Sequence, residues 1–216
     1  MSHPSRRSIV FGAAALAASG SHGVPGAATP GAASRFDLDA FIEDVERARA
    51  ETDGQRAVHA VLARAVAEPG ALIAGLGEPR QAGIHELHRA SDLTILNVVW
   101  APLMILLPHE HRMWATIGIY TGREDNILWE RDGSRVAAAR AASLSEKDVF
   151  SLPEDAVHSV TNPIERLTGA LHIYGGDFFA TPRCEWDAET LLERPFDLER
   201  ARRSFEEANR RFEAGR

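Results

Sequence analysis

The sequence holds a single cysteine, Cys184, among its 216 residues, so it has no internal disulfide to lean on. It lacks any apolar run long enough to span a bilayer, which argues against a membrane span. It also lacks an excess of positive charge: the formal charge is -7, the wrong sign for a nucleic-acid partner. No internal repeat recurs at solenoid spacing, and no β signal precedes about residue 80. The length fits one sizeable domain with appendages.

Residues 1–34 contain no acidic side chain at all. Arg6 and Arg7 are two of the 24 basic residues, so the rest of the chain carries the other 22 against all 31 acidic ones. After Ser5-Arg6-Arg7-Ser8 comes a modestly apolar stretch, Ile9 to Ala18, and then small residues to position 34. This is the layout of an export signal, and the paired arginines resemble a twin-arginine address, which carries folded proteins. The expected location is periplasmic; the alternative is an Ala/Gly-rich extension on a cytoplasmic protein. In either case the segment stands outside the fold.

Residues 35–80 read as a helical part of the same domain. Phe41, Val45 and Ala48 recur at helical spacing over Phe36 to Ala50, with Asp37 or Asp39 as cap. Val58, Val61, Leu62 and Val66 form one stripe over Gln55 to Ala67, which Pro69-Gly70 stops. These helices are expected outside a β-barrel spanning residues 81–195. Leu93 to Trp100, Met113 to Tyr120, Asn126 to Arg131, Val149 to Leu152, Val157 to Thr161 and Leu167 to Tyr174 are short β-branched or apolar runs set between Gly, Pro, Asn and Asp. Such a series predicts an antiparallel sandwich or barrel. Residues 196–216 read as a C-terminal helix whose alternating Arg and Glu suit a solvated face.

Chemistry concentrates in Pro108-His109-Glu110-His111 and in Pro153-Glu154-Asp155-Ala156-Val157-His158. On a strand, residues i and i+2 share a face, so His109 and His111 can bind one ion as neighbours and His158 can supply a third imidazole from another strand. Three neutral imidazoles with open positions suit iron(II), nickel, copper or zinc.

The two motifs resemble those of the cupins, whose fold is a double-stranded β-helix of jelly-roll type. Many cupins add a glutamate ligand shortly after H-x-H; here those positions are Ala115 and Thr116. The run from His109 through Met113-Trp114 to Tyr120-Thr121-Gly122-Arg123-Glu124, with His158-Ser159-Val160-Thr161-Asn162 and Leu171-His172-Ile173-Tyr174, resembles the cysteine dioxygenase and 3-mercaptopropionate dioxygenase relatives among them. The resemblance spans roughly residues 85 to 190. It implies an iron(II) enzyme, with another divalent metal as alternative, that inserts both atoms of O2 into a small thiol to give a sulfinic acid. The implied metal ligands are His109, His111 and His158. The implied catalytic pair is His172 and Tyr174, the last two members of a Ser-x-His-x-Tyr triad whose serine position holds Ala170. Arg183 stands where relatives that take 3-mercaptopropionate hold the substrate carboxylate; the plainer alternative is a surface or ion-paired arginine. Trp114, just after the ligands, is expected to line the pocket. No cysteinyl-tyrosine cross-link is expected, since Cys184 follows Tyr174 and Thr116 sits near the cross-linking position.

Other readings stay open. A cupin metalloenzyme of another reaction class, or a non-catalytic binder of metal or small molecules, would present the same three histidines. His85 and His88 read as surface residues, and Glu124-Asp125-Asn126 as a solvated turn.

Overall fold

The computed structural model describes residues 35–215. The expected export segment, 1–34, lies outside the described residues. Asp37 caps α1 (Leu38–Arg49), its carboxylate accepting from Ala40 N at 3.1 Å. α2 (Gly54–Val66) follows, and its buried stripe is Val58, Val61, Leu62 and Val66. Pro69 marks the end of this helix, as expected, but it also opens another, α3 (Pro69–Leu76), because proline fits the first helical turn, where its missing N–H leaves no acceptor unpaired. Among the described residues no single helix is long and apolar enough to cross a membrane.

Eleven strands follow: β1 (Gly83–Arg89), β2 (Thr94–Trp100), β3 (Ile105–Glu110), β4 (Ala115–Thr121), β5 (Arg123–Asp132), β6 (Arg135–Ser145), β7 (Val149–Leu152), β8 (Val157–Thr161), β9 (Thr168–Tyr174), β10 (Cys184–Trp186) and β11 (Glu193–Pro195). They form one sheet in the order β1-β2-β9-β4-β7 and a second in the order β11-β10-β3-β8-β5-β6. The pairing is nested. β5 pairs β6 across a hairpin at Gly133 (φ 61), β4 pairs β7, β3 pairs β8 and β2 pairs β9, all antiparallel. A long hairpin rolled up in this way is a double-stranded β-helix, and it is the fold expected from the histidine motifs.

Alternation along β4 and β9 sorts two cores. Ala115, Ile117 and Ile119, with Ala170 and Tyr174, face the inside of the roll. Tyr120, Leu171 and Ile173 face outward, where Phe41, Val45, Val58 and Leu62 of α1 and α2 cover them. Gly118 lets α2 close on the sheet, since a Cβ there would stand 2.8 Å from Leu62 Cγ. The last helix, α4 (Leu198–Ala214), turns Ala201, Phe205 and Ala208 inward and packs Phe205 on Trp100, ring centroids 5.2 Å apart. Its Arg and Glu residues sit mainly on the outer side.

Candidate metal centre

β3 and β8 pair so that His109 stands opposite His158. The i, i+2 spacing predicts His111 on the same strand as His109. Instead β3 ends at Glu110, and Arg112 (φ 54) turns the chain into β4 through a left-handed residue. His111 rides on this bend, and its ring still meets the other two. One nitrogen from each of the three imidazoles lies within 4.8 Å of the others, and all three residues are buried.

Hydrogen bonds fix which nitrogens face inward. His109 Nδ1 is 2.8 Å from Leu107 O, a carbonyl that only accepts, so this ring must donate from Nδ1 and leave Nε2 bare. His158 Nδ1 is 2.7 Å from Asn126 Oδ1. The Asn126 amide is oriented by Glu124, whose Oε1 accepts from Asn126 Nδ2 at 3.0 Å, while Glu124 Oε2 accepts from Trp100 Nε1 at 2.8 Å. His158 therefore donates from Nδ1 as well, and its bare Nε2 stands 2.9 Å from His111 Nε2. His111 Nδ1 is buried with no hydrogen-bond partner among the described residues.

Burial holds these rings neutral. It is the main reason that His109 is pushed down from 6.5 to about 4 and that His111 and His158 lie well below the ordinary value, with the neighbouring imidazoles adding to the effect for both. With His158 Nε2 bare, His111 Nε2 donates to it in the metal-free protein, and neutral rings converging in this way fit a transition-metal ion, which would displace that proton.

β9 faces this cluster from the other sheet. Tyr174 lies with its ring centroid 4.8 Å from that of His111, and its hydroxyl is 3.1 Å from His172 Nδ1. Burial raises the phenol well above its usual range, so it stays protonated and can donate. His172 Nε2 comes within 3.4 Å of Glu124 Oε2, as a close pair without an aligned hydrogen bond. The cavity between the sheets is small, about 30 Å3, and is walled by the three histidines, His172, Tyr174, Trp100, Phe178 and Phe196. That is room for an ion and water-sized ligands.

Arg183 is buried behind two of these rings, with its guanidinium 4.3 Å from the Phe178 centroid and 4.1 Å from that of Phe196. Nη1 donates to Phe178 O at 2.5 Å and to Thr181 O at 3.2 Å, whereas Nε and Nη2 are buried without partners. Desolvation lowers it to about 10, which leaves it charged at neutral pH. No carboxylate among the described residues is ion-paired to it, contrary to the plainer sequence alternative.

Two expectations need correction. Trp114 does not line the cavity. It has the parity of Thr116 and Tyr120, so it points outward, packs beside the helices, and stands against Gly175. Trp100 takes the pocket position. Nor are Glu124 and Asn126 part of a solvated turn: both are 0% exposed and face inward from β5, and only Asp125 between them turns out to pair with Arg123. The period-2 spacing Glu124-x-Asn126 was the available signal. His85 and His88 lie on β1 around a bulge, away from the cluster, with His88 near Glu46. Cys184 sits on β10 against Glu193 and Arg112 rather than against Tyr174.

No known family profile matches the sequence. Among solved structures the chain is similar to an RmlC-like cupin with a double-stranded β-helix fold from Methanocaldococcus jannaschii, at 10% identity over 47% of this chain and 86% of that one, TM-score 0.40. It is also similar to a protein with a double-stranded β-helix domain from Klebsiella pneumoniae, at 12% identity over 46% and 78% of the two chains, TM-score 0.39. A third likeness is to oxalate decarboxylase from Bacillus subtilis, at 19% identity, TM-score 0.35, over 42% of this chain but only 22% of that one. These likenesses concern the fold alone. The nested strand pairing by itself makes the described residues a double-stranded β-helix with a three-histidine cluster inside it.

Proposed function

We propose that the protein is an iron(II)-dependent dioxygenase of a small thiol, producing a sulfinic acid by adding both atoms of O2 to the sulfur. The observation that carries this reading is the arrangement around the cluster: three imidazole nitrogens converging on one side, and a protonated Tyr174 hydroxyl held by His172 on the other. The sequence resemblance supplies the reaction class. His109, His111 and His158 would hold the ion, which supplies a redox-active, Lewis-acidic centre whose charge no ligand carboxylate offsets. That charge favours an anionic thiolate over a thiol.

The remaining chemistry belongs to the chain. Tyr174 donates a hydrogen bond toward the reacting sulfur or oxygen, and His172 fixes the direction of its hydroxyl. Trp100, Phe178 and Phe196 keep bulk water from the cavity, which at about 30 Å3 holds water-sized ligands and has to widen before a small thiol enters. Arg183 stands behind the Phe178 and Phe196 rings with two N–H groups that have no partner among the described residues, and these would take a substrate carboxylate once the rings part. A thiol carboxylate such as 3-mercaptopropionate matches this layout better than cysteamine, which has no carboxylate.

The test is oxygen uptake by the iron(II)-reconstituted chain with 3-mercaptopropionate, cysteine and cysteamine, followed by mass spectrometry. Stoichiometric O2 loss with a sulfinate product is expected, greatest for the carboxylate thiols. No uptake at full iron occupancy would overturn the reading.

A further inference from the structure

Glu124 joins the two halves of this site. Its Oε1 reaches the metal-facing side through Asn126 to His158, and its Oε2 reaches the tyrosine side beside His172, with Trp100 Nε1 donating to that oxygen. It is fully buried on β5, on the inner face of one sheet, while Trp100 and His172 belong to the other. We infer that Glu124 is the positioning residue of the centre: one carboxylate sets the proton positions on both His158 and His172. This rests on the reading of His109, His111 and His158 as metal ligands.

Trp100 Nε1 can only donate. A carboxylate accepts on both oxygens, so it takes Trp100 on one and the Asn126 NH2 on the other. Asn126 must then show its oxygen to His158, which must donate from Nδ1 and keep Nε2 bare for an ion. On the second branch, an acceptor beside His172 Nε2 favours the proton on that nitrogen. Nδ1 is then left to accept from the Tyr174 hydroxyl. The resemblance assigns this orienting role to a serine where Ala170 stands; here Glu124 Oε2 stands 3.4 Å from His172 Nε2 from another strand.

An amide cannot do the same. In Glu124→Gln the one oxygen satisfies Trp100, and the NH2 meets Asn126, which turns its oxygen away from His158 and its NH2 toward it. His158 Nδ1 then accepts, and its proton moves to Nε2, where the ion would bind. The double variant Glu124→Gln with Asn126→Asp restores every partner, because the new amide then donates to the new carboxylate and His158 again donates from Nδ1.

The tautomers are read by long-range 1H–15N correlation of the histidine rings in metal-free full chain. Affinity is read by competition for Zn(II) against a chromogenic chelator. Wild type is expected to show Nδ1–H on His158 and Nε2–H on His172. Glu124→Gln is expected to move the His158 proton to Nε2 and to weaken Zn(II) binding about 10- to 100-fold, with the double variant returning both to wild type. Asn126→Ala, which leaves Glu124 bonded to Trp100, is expected to weaken Zn(II) binding by a similar factor, and it carries the test should Glu124→Gln fail to fold. Wild-type affinity and tautomer in Glu124→Gln or Asn126→Ala, or no recovery in the double variant, would overturn the inference. Failure of the dioxygenase reading is distinguishable, because neither readout involves thiol oxidation.

Discussion

Two buried carboxylates, Glu110 and Glu124, flank the same three histidines and are held in opposite ways. Glu110 sits between His109 and His111 in sequence, yet it turns away from the cavity to Arg112, Arg131 and the Cys184 N–H. Burial alone would raise its carboxyl, but the hydrogen bonds from the two arginines outweigh burial and lower it. Glu124 is distant in sequence and keeps different company: Trp100, Asn126 and the His172 ring. The first carboxylate is neutralised by cations at the rim and closes an ion-pair network there. The second uses its acceptors to order Trp100 and Asn126, which face the site. Burial of an acid therefore says little about function until its partners are named.

The sharpest break between the two regions is expected at His158. Replacing it with Ala removes the ring that links the Glu124 network to the cluster, and metal occupancy by elemental analysis should fall to background. Full retention would remove His158 from the ligand set. A second large effect concerns pH. The three rings are neutral when folded, with His109 lowered to about 4, whereas in the unfolded chain they take up protons near 6.5. The unfolded state thus binds more protons below 6.5, so the metal-free protein should lose stability as pH falls from 6.5 toward 4. Urea midpoints at neutral and mildly acid pH measure this. Equal midpoints would mean that the rings are not held neutral.

Arg183 tests the pocket side of the comparison. Unlike Arg112 and Arg131, it has no carboxylate partner among the described residues and keeps two unused donors. Arg183→Ala should raise KM about tenfold or more for thiols bearing a carboxylate and leave cysteamine little changed. Equal effects on both substrates would remove the carboxylate role.

The histidine half of the site is legible in the sequence because the H-x-H motif keeps His109 and His111 together, although through a bend rather than a shared strand face, and because Pro153 opens the return segment to His158. The Glu124 half is not. Glu124-Asp125-Asn126 after a glycine has turn composition, and only the pairing of β5 with β8, which sets Asn126 diagonal to His158, shows two of the three residues pointing inward. Trp114 misleads for the related reason that nearness in sequence to the ligands is not the same face: it shares parity with Thr116, on the outer side. The strand β6 leaves no signal in the sequence. Its Ala-rich run has no apolar alternation, since most of it is an exposed edge held by its hairpin with β5. Helix α3 hides behind a proline that ends one helix and begins the next.

The smallest expected effect is the most discriminating. Glu110→Gln keeps the side chain's shape beside both ligands. The remaining amide oxygen still accepts from Arg112 and Cys184 N, and the half-exposed Arg131 is free to turn to water. Loss of the ion pairs at this buried carboxyl, with the new amide NH2 left without an acceptor, should cost about 1–3 kcal/mol at neutral pH. Because the folded carboxyl of Glu110 is lowered from 4.5, its contribution is complete above that value and fades as pH falls through the folded pKa, so wild type and variant should converge in acid. Zn(II) affinity should remain that of wild type, in contrast to Glu124→Gln. Were Glu110→Gln to weaken Zn(II) as strongly, adjacency to the ligands, rather than the hydrogen-bond chain through Asn126, would be what tunes the centre, and the distinction between the two carboxylates would collapse.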